Sequence, residues 1–203
     1  MSALDLTSTG THVGVLRVDT EGRWPVDHFL GLLGRLDGGY TDAGHFLQIA
    51  RAPQLLEEIV QEEREKHGED ELDRAVRRHI RHLGDPSVPQ LLLKSVEHHS
   101  PGWVEVLGAW NPLKVVADFI SQWRAENSAR SRAEREAARE VQRQQMAYYL
   151  QLLDRMDPEL KERYAVQLLD DSRTAAIVTA ADPRLTQIEL REASEDESKE
   201  AFR

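Results

Sequence analysis

The chain has 203 residues, a formal net charge of −10, 40% hydrophobic and 31% charged residues, and no cysteine. Its size suits one ordinary domain with an extension, and its acidity disfavours nucleic acid and anionic membrane as default partners. The lack of cysteine excludes disulfides, thiolate zinc sites, iron–sulfur clusters and a cysteine nucleophile, and is what a reducing compartment permits.

Taken in chain order, His12 to Val18 alternates enough to predict a short strand, ended by Asp19-Thr20-Glu21-Gly22. Pro25 opens a helix with Val26, Phe29, Leu30, Leu33 and Leu36 on one face, and Asp37-Gly38-Gly39 is expected to stop it. Gly44 to Ala50 fits either a buried strand or the start of another helix, and the break at Ala52-Pro53 favours the strand. Helices follow over Pro53 to Lys66 and Asp70 to Leu83, the second with Leu72, Val76, Ile80 and Leu83 as its apolar stripe and Gly84 as its C-cap. Gln90 to His98 and Trp103 to Leu107 read as two strands joined by Ser100-Pro101-Gly102, which is turn chemistry.

Asn111-Pro112 then starts a helix that meets no Pro or Gly before Asp157-Pro158. Run without a break, it is ~45 residues and roughly 68 Å long. Its first part is apolar (Val115, Val116, Phe119, Ile120, Trp123). Its middle, Arg124 to Gln145, is polar nearly all round, with local pairs such as Glu126–Arg130 and Glu136–Arg139. Its end carries the stripe Met146, Tyr149, Leu150 and Leu153. Asp157-Pro158 opens another helix with Leu160, Tyr164 and Leu168, which can fold back as a helical hairpin. Ala176 to Thr179 and Leu185 to Leu190 read as short strands, and Ala193 to Arg203 as a disordered acidic tail.

This order predicts an α+β fold: a small antiparallel sheet covered by helices, in a ferredoxin-like or split βαββαβ arrangement, with one long projecting helix. The expected division is a core of 1–123 plus 174–192, a charged helix and hairpin over 124–173, and the tail. Met1 to Thr20 lacks a basic start followed by an apolar run, and no apolar stretch reaches the ~20 residues a membrane helix needs, so a cytoplasmic protein without membrane insertion is expected.

Motifs for catalysis are sparse. There is no phosphate loop, no Gly-x-Ser-x-Gly, no His-Glu-x-x-His and no calcium loop. His79 and His82 stand at i, i+3 but lack further ligands, and arginines crowd them, so a solvated face is the simpler reading and no metal or cofactor is expected. The alternative to an interaction protein is a small-ligand-binding or hydrolytic enzyme with a site near His98, His99 and Ser100.

Two sets of side chains are candidates for partner binding. Arg74, Arg77, Arg78 and Arg81 form one patch on a helix, suited to an acidic partner or phosphate, or else to pairing with Glu62, Glu63, Glu65 and Glu69. No aromatic residue is interleaved, which disfavours nucleic acid. Met146, Tyr149, Leu150 and Leu153 form the second set, for another protein or for self-association through the long helix, along which Ala129, Ala133, Ala137 and Val141 trace a loose coiled-coil seam.

Finally, Lys94-Ser95-Val96-Glu97-His98-His99-Ser100-Pro101-Gly102-Trp103-Val104-Glu105-Val106-Leu107-Gly108, followed by Asn111-Pro112-Leu113, resembles a segment of bacterial proteins linked to biological conflict systems. Some of those are related to the ferredoxin-like adaptor domain of the TRADD type. The likeness covers Leu91 to Trp123 and implies adaptor or assembly function. A charged helix stands here where those proteins often carry a membrane helix.

Overall fold

A computed structural model describes residues 12–22, 25–83, 90–97 and 101–201. The fold is α+β, with a four-stranded antiparallel sheet in the order β2-β3-β1-β4. Its strands are β1 (Val13–Thr20), β2 (Leu92–Glu97), β3 (Gly102–Ala109) and β4 (Leu185–Glu192). Helices α1 (Val26–Arg51), α2 (Pro53–His67) and α3 (Leu72–Arg81) connect β1 to β2. Helices α4 (Trp110–Ser128), α5 (Arg132–Gln151), a short α6 (Pro158–Leu160), a π-helical turn (Lys161–Ala165) and α7 (Val166–Ala180) connect β3 to β4. A final helix, α8 (Glu195–Ala201), follows. The expected hairpin is present, with β2 and β3 antiparallel and Pro101-Gly102 at the start of β3. Ser100, His98 and His99 lie outside the described residues.

The sheet's two faces follow from strand periodicity. In β1, Leu16 and Val18 face the helices, and Val15 and Arg17 face the other way, opposite Leu107 and Glu105 of β3. Helix α4 lies on the inner face, burying Leu113, Val115, Val116, Phe119 and Ile120, and α1 and α7 pack on it and on each other. Two facing glycines admit large rings here. A Cβ on Gly108 would sit 2.8 Å from the Tyr40 ring, and one on Gly14 2.9 Å from the Trp110 ring. Tyr40 uses that space to accept a hydrogen bond from the Ala109 amide at 2.8 Å.

Several local expectations are overturned. Asp37-Gly38-Gly39 does not stop α1, which runs on through Gly44 to Ala50, so that segment is helix and not strand. Gly39 serves the crossing with α7: a Cβ there would lie 3.3 Å from Ala175 and 3.5 Å from the Ser172 carbonyl, whereas the Ser172 hydroxyl donates to the Gly39 carbonyl. Ala176 to Thr179 is also helix, with Ala176, Thr179 and Ala180 buried inside α7. The tail is not disordered over 195–201, which is α8. Ser194 and Glu197 cap each other's backbone, and Arg191 and Lys94 grip the Glu197 carboxylate.

The long projecting helix is absent. The chain leaves helical geometry at Ala129, and Ser131 restarts it with a capping box: its hydroxyl accepts from the Glu134 amide, and Glu134 accepts from the Ser131 amide. Helix α5 returns antiparallel along α4. Asp118 of α4 accepts from Gln145 and Tyr149 of α5, and Arg139 donates to Glu126. Tyr149, Leu153, Met156, Tyr164 and Leu169 belong to the same buried cluster as Leu16, Phe46 and Phe119.

Candidate functional site

The fold places the two predicted partner-binding sets differently. Tyr149 is 1% exposed and Leu153 0%, with the Tyr149 ring edge-on to Phe46 and Phe119. Met146 packs against the same cluster, and Leu150 is half-buried. Tyr149 and Leu153 are covered by the chain itself, because the break at Ala129 lets α5 fold back, whereas Met146 and Leu150 stay partly exposed.

The arginine set has the opposite fate. Helix α3 buries Leu72, Ala75, Val76 and Ile80. Both flanks of that stripe are tied down. On one, Asp73 accepts from Arg163 and from the Tyr164 hydroxyl, each at 2.7 Å. These bonds hold the Asp73 carboxyl below its ordinary range, the Arg163 bond foremost. On the other, His79 meets Glu63 at 2.8 Å, a buried carboxylate that also faces Lys66 and His67. Glu63 lies below its usual range, chiefly through the His79 hydrogen bond. Of the acids that were candidates to neutralise the arginines, Glu63 is thus occupied, Glu62 pairs with Lys66, Glu65 accepts from Gln61, and Glu69 is taken by Arg64.

Arg74, Arg78 and Arg81 therefore stand exposed on the outward face of α3, with Arg77 half-buried beside them. None of the four forms an ion pair with a described carboxylate. The Arg77 guanidinium lies 6.0 Å from the centre of the Tyr164 ring. His82 bonds the Arg78 carbonyl at 2.7 Å, and among the described residues no group of three or more metal-ligating side chains exists.

Beside the row lies a crevice lined by Asp42, Arg77, Arg81, Tyr164 and Asp171, with about 20 Å³ of free volume. That is room for a water, not a substrate. Asp42 is pushed up to about 6, by burial first and by the nearby Asp171 second, with Arg81 opposing. One turn on, His45 is buried and held below its ordinary range by desolvation and by Arg81. A larger open cleft of about 320 Å³ lies between the start of α1 and the end of α7, lined by Asp27, His28, Arg35 and Asp182. No serine or threonine lines either crevice.

The outer sheet face carries a charge network that sequence reading missed. Glu105, nearly buried, accepts from Lys94 at 2.8 Å and from Ser95 at 3.1 Å. Lys94 also reaches Glu197 of α8, and Arg17 lies over the Trp103 ring at 4.8 Å. A lone Glu105 in the apolar strand β3 and Lys94 in β2 were the available signal, but α8 was needed to complete the network.

Among the described residues no helix is long and apolar enough to cross a membrane. No family model, no curated protein and no solved structure matches this chain.

Proposed function

We propose that this chain is a non-enzymatic protein-interaction module, an adaptor that receives an acidic segment of a partner protein on the arginine row of α3. The observation that carries the reading is the row itself: Arg74, Arg77, Arg78 and Arg81 on one helix, three of them exposed and none ion-paired with a described carboxylate, on a protein of net charge −10. Guanidiniums crowded on one helix repel one another, and an acidic partner relieves that repulsion while accepting forked hydrogen bonds. No aromatic residue is interleaved in the row, which weighs against single-stranded nucleic acid.

The reading no longer draws on a projecting helix. The likeness of Leu91 to Trp123 to conflict-system adaptors agrees with it. So does the strand order β2-β3-β1-β4 with helical crossovers, which we interpret as a ferredoxin-like, split βαββαβ arrangement. A cytoplasmic setting belongs to the same proposal.

Fluorescence anisotropy with a labelled oligoglutamate peptide tests it, with single-stranded DNA as competitor. Peptide binding that weakens with salt, and falls at least about tenfold in Arg74→Glu/Arg78→Glu/Arg81→Glu, supports it. Binding that survives the triple change, no peptide binding, or a clear preference for DNA overturns it. Arg132→Glu/Arg143→Glu on α5 is the control and should leave the affinity unchanged.

A further inference from the structure

We infer that the free edge of β2 is a self-association surface, on which a second copy of this chain pairs its own β2 antiparallel about a two-fold axis. The inference is independent of the arginine row.

Among the described residues, strand β2 ends the sheet and has β3 as its one neighbour. Its register on β3 shifts at Lys94: Leu93 stands opposite Val106, and Ser95 opposite Glu105, with Lys94 as the extra residue. The bulge sets Leu93 and Val96 on the same face as Val106 and Val104, and Leu92, Lys94, Ser95 and Glu97 on the other. Leu93 is 50% exposed and Val96 43%. No other strand carries an exposed large apolar side chain among the described residues.

The two sheet edges are treated differently. At the start of β4, Arg124 donates to the carbonyls of Leu185 and Thr186 at 2.6 Å each, and the register with β1 shifts there. Such features blunt an edge. A lysine on an edge strand does the same when it projects past the edge. Lys94 does not: its amine is held over its own sheet by Glu105 and Glu197.

A second copy is the occupant because β2 is complementary to itself. Place the axis between Lys94 and Ser95. Leu92 then stands opposite Glu97, Leu93 opposite Val96, and Lys94 opposite Ser95, each pair repeated by symmetry. All six residues are paired, and every pair shares a face. On the apolar face two Leu93–Val96 contacts form. On the polar face Lys94 lies diagonal to Glu97 of the second copy, with opposite charge. A shift of one residue sets Leu93 against Ser95 or Glu97 and fails on both faces. Such an interface is isologous, so it closes at a dimer.

Sedimentation of the full chain over a wide concentration range tests this. The expected result is a mass that doubles as concentration rises. Leu93→Lys/Val96→Lys sets like charges opposite each other and should keep the chain monomeric. Leu93→Glu/Val96→Lys sets opposite charges in the same pairs and should restore the dimer. Both positions are at the surface, so unaltered circular dichroism verifies the fold. Because the chain has no cysteine, Leu93→Cys/Val96→Cys should give a covalent dimer on oxidation. A monomer at every concentration, a dimer that survives the paired lysines, or equal behaviour of the two charge variants overturns the proposal.

Discussion

Helices α3 and α5 are both rich in arginine, and they differ in what the arginines meet. On α5, Arg132 pairs with Glu136, Arg143 with Glu140, and Arg139 with Glu126 across the hairpin. On α3, Glu63, Asp73 and Glu69 are engaged by His79, Arg163 and Arg64 instead. Three of the four α5 arginines are therefore paired, whereas none of the four on α3 pairs with a described carboxylate. Arginine count on a helix says little until the carboxylates have been assigned.

The sharpest way to break the comparison is to ask what holds each helix down. We expect α5 to be held by its apolar end and not by its ion pairs. Tyr149→Ala should cost about 3–5 kcal/mol, the range for emptying a buried aromatic site. Urea denaturation measures it, and a loss no greater than that of removing an ion pair would reverse our account of α5.

Next in size is the restart of the helix. Ser131→Ala removes the hydroxyl that accepts from the Glu134 amide and should cost about 0.5–2 kcal/mol. Should the helical content of this variant rise, with α4 and α5 fusing into one helix, the cap is what breaks the run.

The crevice beside α3 gives a pH signature. Asp42 is raised from 3.8 to about 6, so over that window the folded state binds more protons than the unfolded one. Its contribution is fully present below the unfolded value and is lost as pH rises through about 6. His45, held low, acts in the opposite sense, costing stability as pH falls below its ordinary 6.5. Asp42→Asn should remove the first trend and raise stability near neutrality. Thermal melts from acid to neutral pH would contradict the assignment if wild type and variant ran parallel.

The smallest effects separate the two helices by sign. Arg132→Ala should cost about 0.2–0.5 kcal/mol, the value of an exposed i, i+4 pair. Arg78→Ala removes a like-charge neighbour of Arg74 and should be neutral or stabilising by a similar amount. Both differences should shrink in high salt. Two equal losses would mean that α3 has partners for its arginines after all.

Much of the strand content was legible in the sequence. Alternation marked β1, the Pro101-Gly102 turn with flanking apolar residues marked the β2–β3 hairpin, and Leu185 to Leu190 marked β4. The apolar stripes of α2, α3 and the first half of α4 were equally readable. These succeeded because period and turn chemistry are local. The site was legible as a list of arginines but not as an unpaired row, since Glu63 and Asp73 could have gone to other partners.

Helix continuity was the level at which local reading failed, in both directions. Asp37-Gly38-Gly39 looks like a stop, yet α1 continues, because burial of Tyr40, Phe46 and Ile49 and the close α7 crossing at Gly39 outweigh the intrinsic cost of glycine. The 111–157 run looks unbroken, yet it divides at Ala129. There the Ser131-x-x-Glu134 box was a readable signal for a new start, and hiding Tyr149 and Leu153 against Phe46 and Phe119 supplies the energy that favours the turn. By itself, then, the sequence determined which segments are strand or amphipathic helix, and that the surface is charged. Only the tertiary structure decided where helices end, which apolar stripe is internal, which arginines remain unpaired and which strand edge stays open, because each depends on contacts between segments far apart in the chain.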